Sequence, residues 1–133
     1  MLGLPTWINL QRISDERGGL VIAEAQKNIP FVIKRVYCLY DLNDKPRGFH
    51  AHKKLQQVMV CLVGSCEVML DDGRTREMVK FDKFSQGLSL PIMIWHEVLN
   101  CSHDCVLMVL ASDYYDEADY IRDYDFFKSS VMR

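Results

Sequence analysis

The stretch Arg47-Gly48-Phe49-His50-Ala51-His52-Lys53-Lys54-Leu55-Gln56-Gln57, followed by the apolar run Val58 to Val63 and then Gly64, decides how the whole chain is read. It sets two histidines two residues apart beside a predicted strand. Side chains alternate faces along a strand, so His50 and His52 leave one face together while Phe49 and Ala51 leave the other. That is the geometry of an acid/base pair or of two metal ligands. The pair alone is equally compatible with two hydrogen-bonded histidines on an exposed strand, so the flanking sequence has to decide.

Outward from this stretch, short apolar runs alternate with turn residues at the close spacing of an all-β barrel or sandwich. Trp7 to Leu10 reads as a first strand, Asp15-Glu16-Arg17-Gly18-Gly19 as a turn and Leu20 to Ala23 as a second strand. Gln26 to Pro30 punctuates, since proline removes a ladder donor, and the run Phe31 to Tyr40 follows. Asp41 to Pro46 is a polar loop that delivers the chain to the histidine strand. After Gly64-Ser65 come Cys66 to Leu70 and the hairpin signal Asp71-Asp72-Gly73. Glu77 to Phe81, Gly87 to Leu90, His96 to Asn100 and Val106 to Ala111 complete the strands. The acidic, tyrosine-rich tail from Tyr114 to Phe127 reads as a helix, with Tyr120, Tyr124 and Phe127 on one face packing it against the barrel.

The 133 residues suffice for one domain with a sizeable core and are too few for two ordinary ones, so residues 1–133 are read as a single domain. Apolar residues make up 49% and the formal net charge is −2, which leaves no basic surplus to drive nucleic-acid or anionic-membrane binding. Met1 to Trp7 lacks the pattern of a secretory signal and no apolar run has membrane-spanning length, so the expectation is a cytoplasmic protein. The five cysteines, Cys38, Cys61, Cys66, Cys101 and Cys105, never form Cys-x-x-Cys. In apolar strand surroundings they read as reduced core residues rather than as a catalytic or zinc set.

Two stretches resemble the paired motifs of the cupin superfamily, small jelly-roll β-barrels with an internal site. The first is Gly48-Phe49-His50-Ala51-His52 with Gln57 and Gly64; the second is Gly87-Leu88-Ser89-Leu90-Pro91 with His96 and Asn100. The resemblance implies a cupin β-barrel with a short C-terminal helix. In metal-binding cupins the first motif supplies two histidines and a glutamate, the second a third histidine. Here Gln57 occupies the glutamate position, and a neutral amide is a much weaker ligand than a carboxylate. The expectation is therefore a site with no metal, in which His50 and His52 carry protons and His96 positions.

A closer resemblance is carried by Arg35-Val36-Tyr37, Arg47 to Leu55, Gly64-Ser65-Cys66, Leu70 to Gly73, Trp95-His96-Glu97 and Val109 to Glu117. In combination these are similar to the nucleotide-sugar 3,4-ketoisomerases, which act on dTDP-4-keto-6-deoxy-D-glucose in the biosynthesis of unusual deoxysugars. The resemblance implies an isomerase that moves the keto group from C4 to C3 through an enediol, a reaction that needs two proton-handling groups and no redox cofactor. It assigns His52 to the carbon-bound proton and His50 to the oxygens, with the two roles exchangeable. Tyr37 is implied as a partner for a sugar oxygen or the enediol.

Arg47 suits a pyrophosphate, because guanidinium binds phosphate oxygens bidentately. Lys53, Trp95, His96 and Arg17 complete the expected substrate contacts, each weighed against an ordinary solvated or packing role. An epimerase on the same substrate class, a non-catalytic sugar-binding cupin and a metal-dependent dioxygenase are the competing readings. Members of the family form homodimers with exchanged amino-terminal strands, which makes Trp7 to Leu10 the expected segment of exchange.

Overall fold

In the computed structural model, which describes residues 5–43 and 45–132, nearly every apolar run of the sequence becomes a short strand. Met1 to Leu4, Asp44 and Arg133 lie outside the described residues, and with them the reading of the first four residues and of Asp44 in its loop. The elements in chain order are β1 (Thr6–Asn9), β2 (Gln11–Asp15), β3 (Gly18–Ile22), β4 (Arg35–Leu39), β5 (Arg47–His52) and β6 (Gln57–Val63). Then follow β7 (Cys66–Asp71), β8 (Arg76–Phe81), β9 (Gln86–Leu90), β10 (Trp95–Leu99) and β11 (Val106–Ala111). A 3-10 turn over Glu117–Asp119 leads into β12 (Tyr120–Ile121), and the helix α1 (Tyr124–Val131) closes the described chain.

Ten of these strands form two five-stranded antiparallel sheets, ordered β1-β9-β6-β11-β4 and β12-β5-β10-β7-β8. Strands that are neighbours in sequence repeatedly fall in opposite sheets, which is the jelly-roll arrangement of a cupin. β2 and β3 pair only with each other. The strand expected over Trp7 to Leu10 is β1, and it pairs with β9 of its own chain.

β6 explains why one run of sequence is apolar on both faces. Met59 and Cys61 face the space between the sheets, in a core with Val68, Leu70, Leu88, Val98 and Leu107. Val58 and Val60 face outward and are covered by Leu10, Ile29, Phe31 and Leu110. A strand buried on both sides has no need of polar alternation. The cover also corrects the reading of Phe31 to Tyr40: only Arg35–Leu39 is strand, while Phe31 is a buried lid residue on the outer core.

The tail differs from its predicted single helix. Asp116 caps the 3-10 turn through the Ala118 N–H, and Asp123 separately caps α1 through the Phe126 N–H, so two N-cap aspartates divide the segment. Between them Tyr120 and Ile121 pair with His52 and Ala51 of β5. The helix packs by Phe127 against Ala51, Met69, Trp95 and Ile121. Among the described residues no helix is long and apolar enough to cross a membrane.

The helix is held by more than apolar contact. Asp71, buried at the end of β7, accepts the Tyr124 hydroxyl at 2.6 Å, Arg76 Nε at 2.8 Å and the Gly73 N–H at 2.7 Å. A buried carboxylate loses free energy with each donor removed. Tyr124→Phe is therefore expected to lower stability by about 1–3 kcal/mol, read as a lower denaturant midpoint with an unchanged slope in urea titration.

Candidate active site

The residues of the opening motif are aimed by a β-bulge. β5 and β10 pair His50 with His96, but the next pair is Gly48 with Glu97, so Phe49 is the extra residue of β5. Gly48 has φ +98° and Phe49 φ +55°, a left-handed pair that only glycine enters freely. A Cβ at Gly48 would also stand 2.9 Å from the carbonyl oxygen of His96. The bulge changes what simple alternation predicts, since Phe49 joins His50 in lining the cavity instead of pointing away.

That cavity, of about 460 Å³, lies between the sheets and is lined by residues from β4, β5, β6, β10, β11 and β12. Its polar wall consists of Tyr37, His50, His96 and Tyr120 with three arginines, Arg35, Arg47 and Arg122. Its apolar floor includes Met59, Val98 and Val109. No carboxylate lines it among the described residues.

Three imidazoles cluster at its inner end. The His50 ring lies 4.8 Å from His52 and 4.5 Å from His96 between centroids. Each ring commits Nδ1 to an oxygen: His50 to the carbonyl of Gly48 at 2.9 Å, His52 to the carboxylate of Asp119 at 2.9 Å, His96 to the carbonyl of Ile94 at 3.2 Å. These oxygens only accept, so Nδ1 carries the hydrogen and each Nε2 presents a bare lone pair. Burial lowers the proton affinity of all three. His52 falls to about 4, by burial and the neighbouring His50, against the opposing pull of Asp119. His96 falls to about 3, again by burial first, and His50 moves in the same direction.

Tyr37 Oη accepts the amide of Gln57 at 2.9 Å, which leaves the phenol hydrogen available to a ligand. Burial raises Tyr37 to about 12, so the phenol stays protonated at neutral pH. The Arg35 guanidinium lies 5.0 Å over the Tyr37 ring and Arg122 lies 4.3 Å over the Tyr120 ring. Buried side-chain polar atoms nearly always find a partner. The buried ones that lack one among the described residues are Arg35 Nε, His50 Nε2 and His52 Nε2, and they belong to this one cluster. A site that leaves a donor and two acceptors unsatisfied together is built for a polar ligand.

Of the expected site residues, Tyr37, Arg47, His50 and His96 line the cavity, with His52 directly behind His50. Trp95 does not. It shares β10 with His96 but leaves the opposite face, packs on Tyr124 and Phe127 of α1, and donates Nε1–H to Glu97. Lys53 points away as well and donates Nζ to the carbonyl of Ala118. Arg17 is at the exposed tip of the β2–β3 hairpin, paired with Asp15, and contributes nothing to this cavity within the chain. The residues that sequence reasoning missed are Arg35, Asp119, Tyr120 and Arg122. Arg35 was legible as the residue two before Tyr37 on one strand face; the other three are brought in by β12.

The three histidines place one nitrogen each within 4.8 Å of one another, a spacing that suits a divalent ion. The remaining cupin ligand position is Gln57, whose amide nitrogen is committed to Tyr37. The set therefore offers three neutral nitrogens and no carboxylate, and it departs from the donor set of the metal-binding cupins.

Because the folded chain resists protonation of these rings while the unfolded chain takes protons near pH 6.5, the unfolded state binds more protons below that pH. Stability is therefore expected to fall as pH drops from about 6.5 toward 4. The loss should be on the order of 1–2 kcal/mol for each strongly shifted ring by pH 5. Urea titrations at pH 7 and pH 5 check this, with His96→Asn flattening the difference.

Comparison with known proteins agrees with this geometry. The family model described as FdtA: WxcM-like, C-terminal matches residues 4–132. A TDP-4-oxo-6-deoxy-alpha-D-glucose-3,4-oxoisomerase from Aneurinibacillus thermoaerophilus is 56% identical over 127 residues, 95% of this chain and 91% of that protein. The crystal structure of a 3,4-ketoisomerase from Helicobacter canadensis superposes with a TM-score of 0.93 at 44% identity, covering 96% of each chain. A histidine-to-asparagine variant of the 3,4-ketoisomerase from Thermoanaerobacterium thermosaccharolyticum, in complex with TDP-4-keto-6-deoxyglucose, gives 0.95 at 40%, covering 98% of this chain and 96% of that one. The match of one family model along nearly the whole chain, joined to a relative of this identity, means that the chain belongs to the FdtA family of cupin-fold nucleotide-sugar 3,4-ketoisomerases.

Proposed function

We propose that this chain moves the keto group of a TDP-linked 4-keto-6-deoxyhexose, TDP-4-keto-6-deoxy-D-glucose in the first instance, from C4 to C3. The observation that carries the reading is the pair of buried, unpartnered lone pairs on His50 and His52 beside a neutral phenol. The hydrogen on C3 is acidified by the adjacent C4 carbonyl. A base removes it while the C4 oxygen gains a proton, which gives the 3,4-enediol. The enediol then loses the proton of O3 and takes one at C4, leaving the ketone at C3. Atoms and electrons balance with no external oxidant.

The carbon-bound proton is assigned to His50, a reading supported by its position in the cavity lining, with His52 behind it. Of the two assignments the sequence leaves open, this is the exchanged one. His52, with its tautomer held by Asp119, and Tyr37 handle the oxygens. The guanidinium groups of Arg35, Arg47 and Arg122 match a diphosphate, and the unpartnered Arg35 Nε supplies a ready donor. The 3,4-ketoisomerase relatives favour this reading over an epimerase or a binding-only cupin.

A homodimer is also proposed, supported by the β2–β3 hairpin, whose Ile13 and Leu20 are 52% and 54% exposed and share a groove with an exposed Phe84. Apolar side chains on an unpaired hairpin suit a second copy, and Arg17 at its tip would then be offered to the neighbouring subunit. Sedimentation velocity should show a dimer that Ile13→Asp converts to monomer; a monomeric parent protein would end this part of the proposal.

A proton NMR time course with TDP-4-keto-6-deoxy-D-glucose in heavy water tests the reaction. The expected product is the 3-keto sugar with solvent deuterium at C4, whose configuration the spectrum also reports. His50→Asn should abolish loss of the C3 hydrogen. His52→Asn and Tyr37→Phe should slow turnover by about 100-fold or more, in the range of a lost acid/base group. An unchanged, undeuterated sugar after long incubation with the parent protein would overturn the assignment.

A further inference from the structure

Four of the five cysteines converge at one end of the inter-sheet core, away from the cavity, which none of them lines. Cys61 and Cys66 flank the β6–β7 turn through Gly64, and Cys101 and Cys105 bracket the loop that leads into β11. The two turns are already tied together: Ser65 N–H donates to Ser102 Oγ at 2.9 Å and Ser102 N–H to the Ser65 carbonyl at 2.8 Å. Gly64 is required there, since its φ is +74° and a Cβ would collide with Ser102 and Asp104. The thiol ends are thus held by a fixed backbone clasp.

We propose that Cys61, Cys66 and Cys105 form a closed thiolate site for a soft divalent cation of the zinc class, with the nearby Cys101, whose Sγ faces the Leu99 carbonyl at 3.9 Å, turning in as fourth ligand. The three sulfurs lie within 4.8 Å of one another, and Cys61 Sγ is 3.9 Å from Cys105 Sγ. Tetrahedral zinc with bonds of about 2.3 Å requires sulfur pairs about 3.8 Å apart, so this edge needs almost no adjustment. The same separation is far beyond a disulfide bond, whose sulfurs stand about 2.0 Å apart.

All four side chains are buried, as in structural zinc sites, which are closed to solvent. Binding would release one proton from each thiol that enters as S–H. The site would clamp the β6–β7 turn to the 101–105 loop and leave the sugar cavity untouched. The spacing Cys-x4-Cys and Cys-x3-Cys hid this cluster, because only the pairing of β6 with β11 brings the two turns together.

The test is anaerobic titration of the reduced, metal-stripped full chain with Co²⁺. One equivalent should produce the near-ultraviolet thiolate-to-cobalt charge-transfer band and the intense visible bands of a tetrahedral site. Zn²⁺ should bleach both and raise the melting temperature. The bands should persist in His50→Asn, which separates this site from the histidine cluster, and vanish in Cys105→Ala. Absence of the thiolate band in the parent protein, or its survival in the Cys61→Ala, Cys105→Ala double variant, overturns the proposal. So does a thiol titration of the freshly purified, unfolded chain that finds Cys61 and Cys105 joined as a disulfide. The parent titration is decisive even where a variant folds poorly.

Discussion

Burial keeps the imidazoles of His50, His52 and His96 uncharged, and each spends its Nδ1–H on an oxygen of fixed position. The rest of the site follows from that arrangement. Neutral rings with defined tautomers gather three unprotonated Nε2 atoms at the inner end of one cavity, His50 and His96 in its lining and His52 behind them, which water-exposed histidines, half protonated near pH 6.5, would not do. Proton transfer at carbon needs such a base already stripped of solvent and aimed, since reorganisation at the moment of reaction would cost rate. The same burial makes the cluster a liability for stability in acid, so function and folding draw on one electrostatic arrangement in opposite senses.

The backbone device behind this is the single extra residue in β5. Without the bulge, Gly48 and Phe49 would continue the ladder to β10, and His50 would lose the Gly48 carbonyl that fixes its ring. Glycine is needed at residue 48 both for its dihedral angle and because the neighbouring strand leaves no room for a Cβ. The apolar strands β6 and β11 supply the rigid floor, and Asp71 with Tyr124 holds α1 over the back of β5 and β10. The jelly roll therefore positions the site from both sides: apolar packing from beneath, and a short strand, β12, from above.

Much of this was legible in the sequence because it rests on the two-residue period of a strand. His50, His52 and Tyr37 are found by that period together with the family motifs. The same rule, applied to β10, also excludes Trp95, since the residue before His96 must leave the opposite face. Lys53, one step past His52 at the strand end, fails likewise. Asp119, Tyr120 and Arg122 were hidden for a different reason. They reach the site through a two-residue strand paired to β5 across 68 residues of sequence, within a segment whose tyrosine spacing imitates a helical face. Two aspartate caps, at Asp116 and Asp123, break that imitation, and short elements defined by caps leave little periodic signal.

The three arginines give the site a further property. Burial is the main cause of the lowered proton affinity of His50 and His52; Arg122 and Arg47 add to it at His50, and Arg35 at His52, because positive charge nearby disfavours an imidazolium. A diphosphate seated against those guanidinium groups would cancel the field they project onto the rings. That would lift the smaller, coulombic share of the depression and leave the larger share, which burial imposes, so the two rings would remain neutral bases. The anionic tail of the substrate would thus do more than anchor the sugar. By neutralising the arginines it would also raise, in part, the proton affinity of two bases that burial holds down.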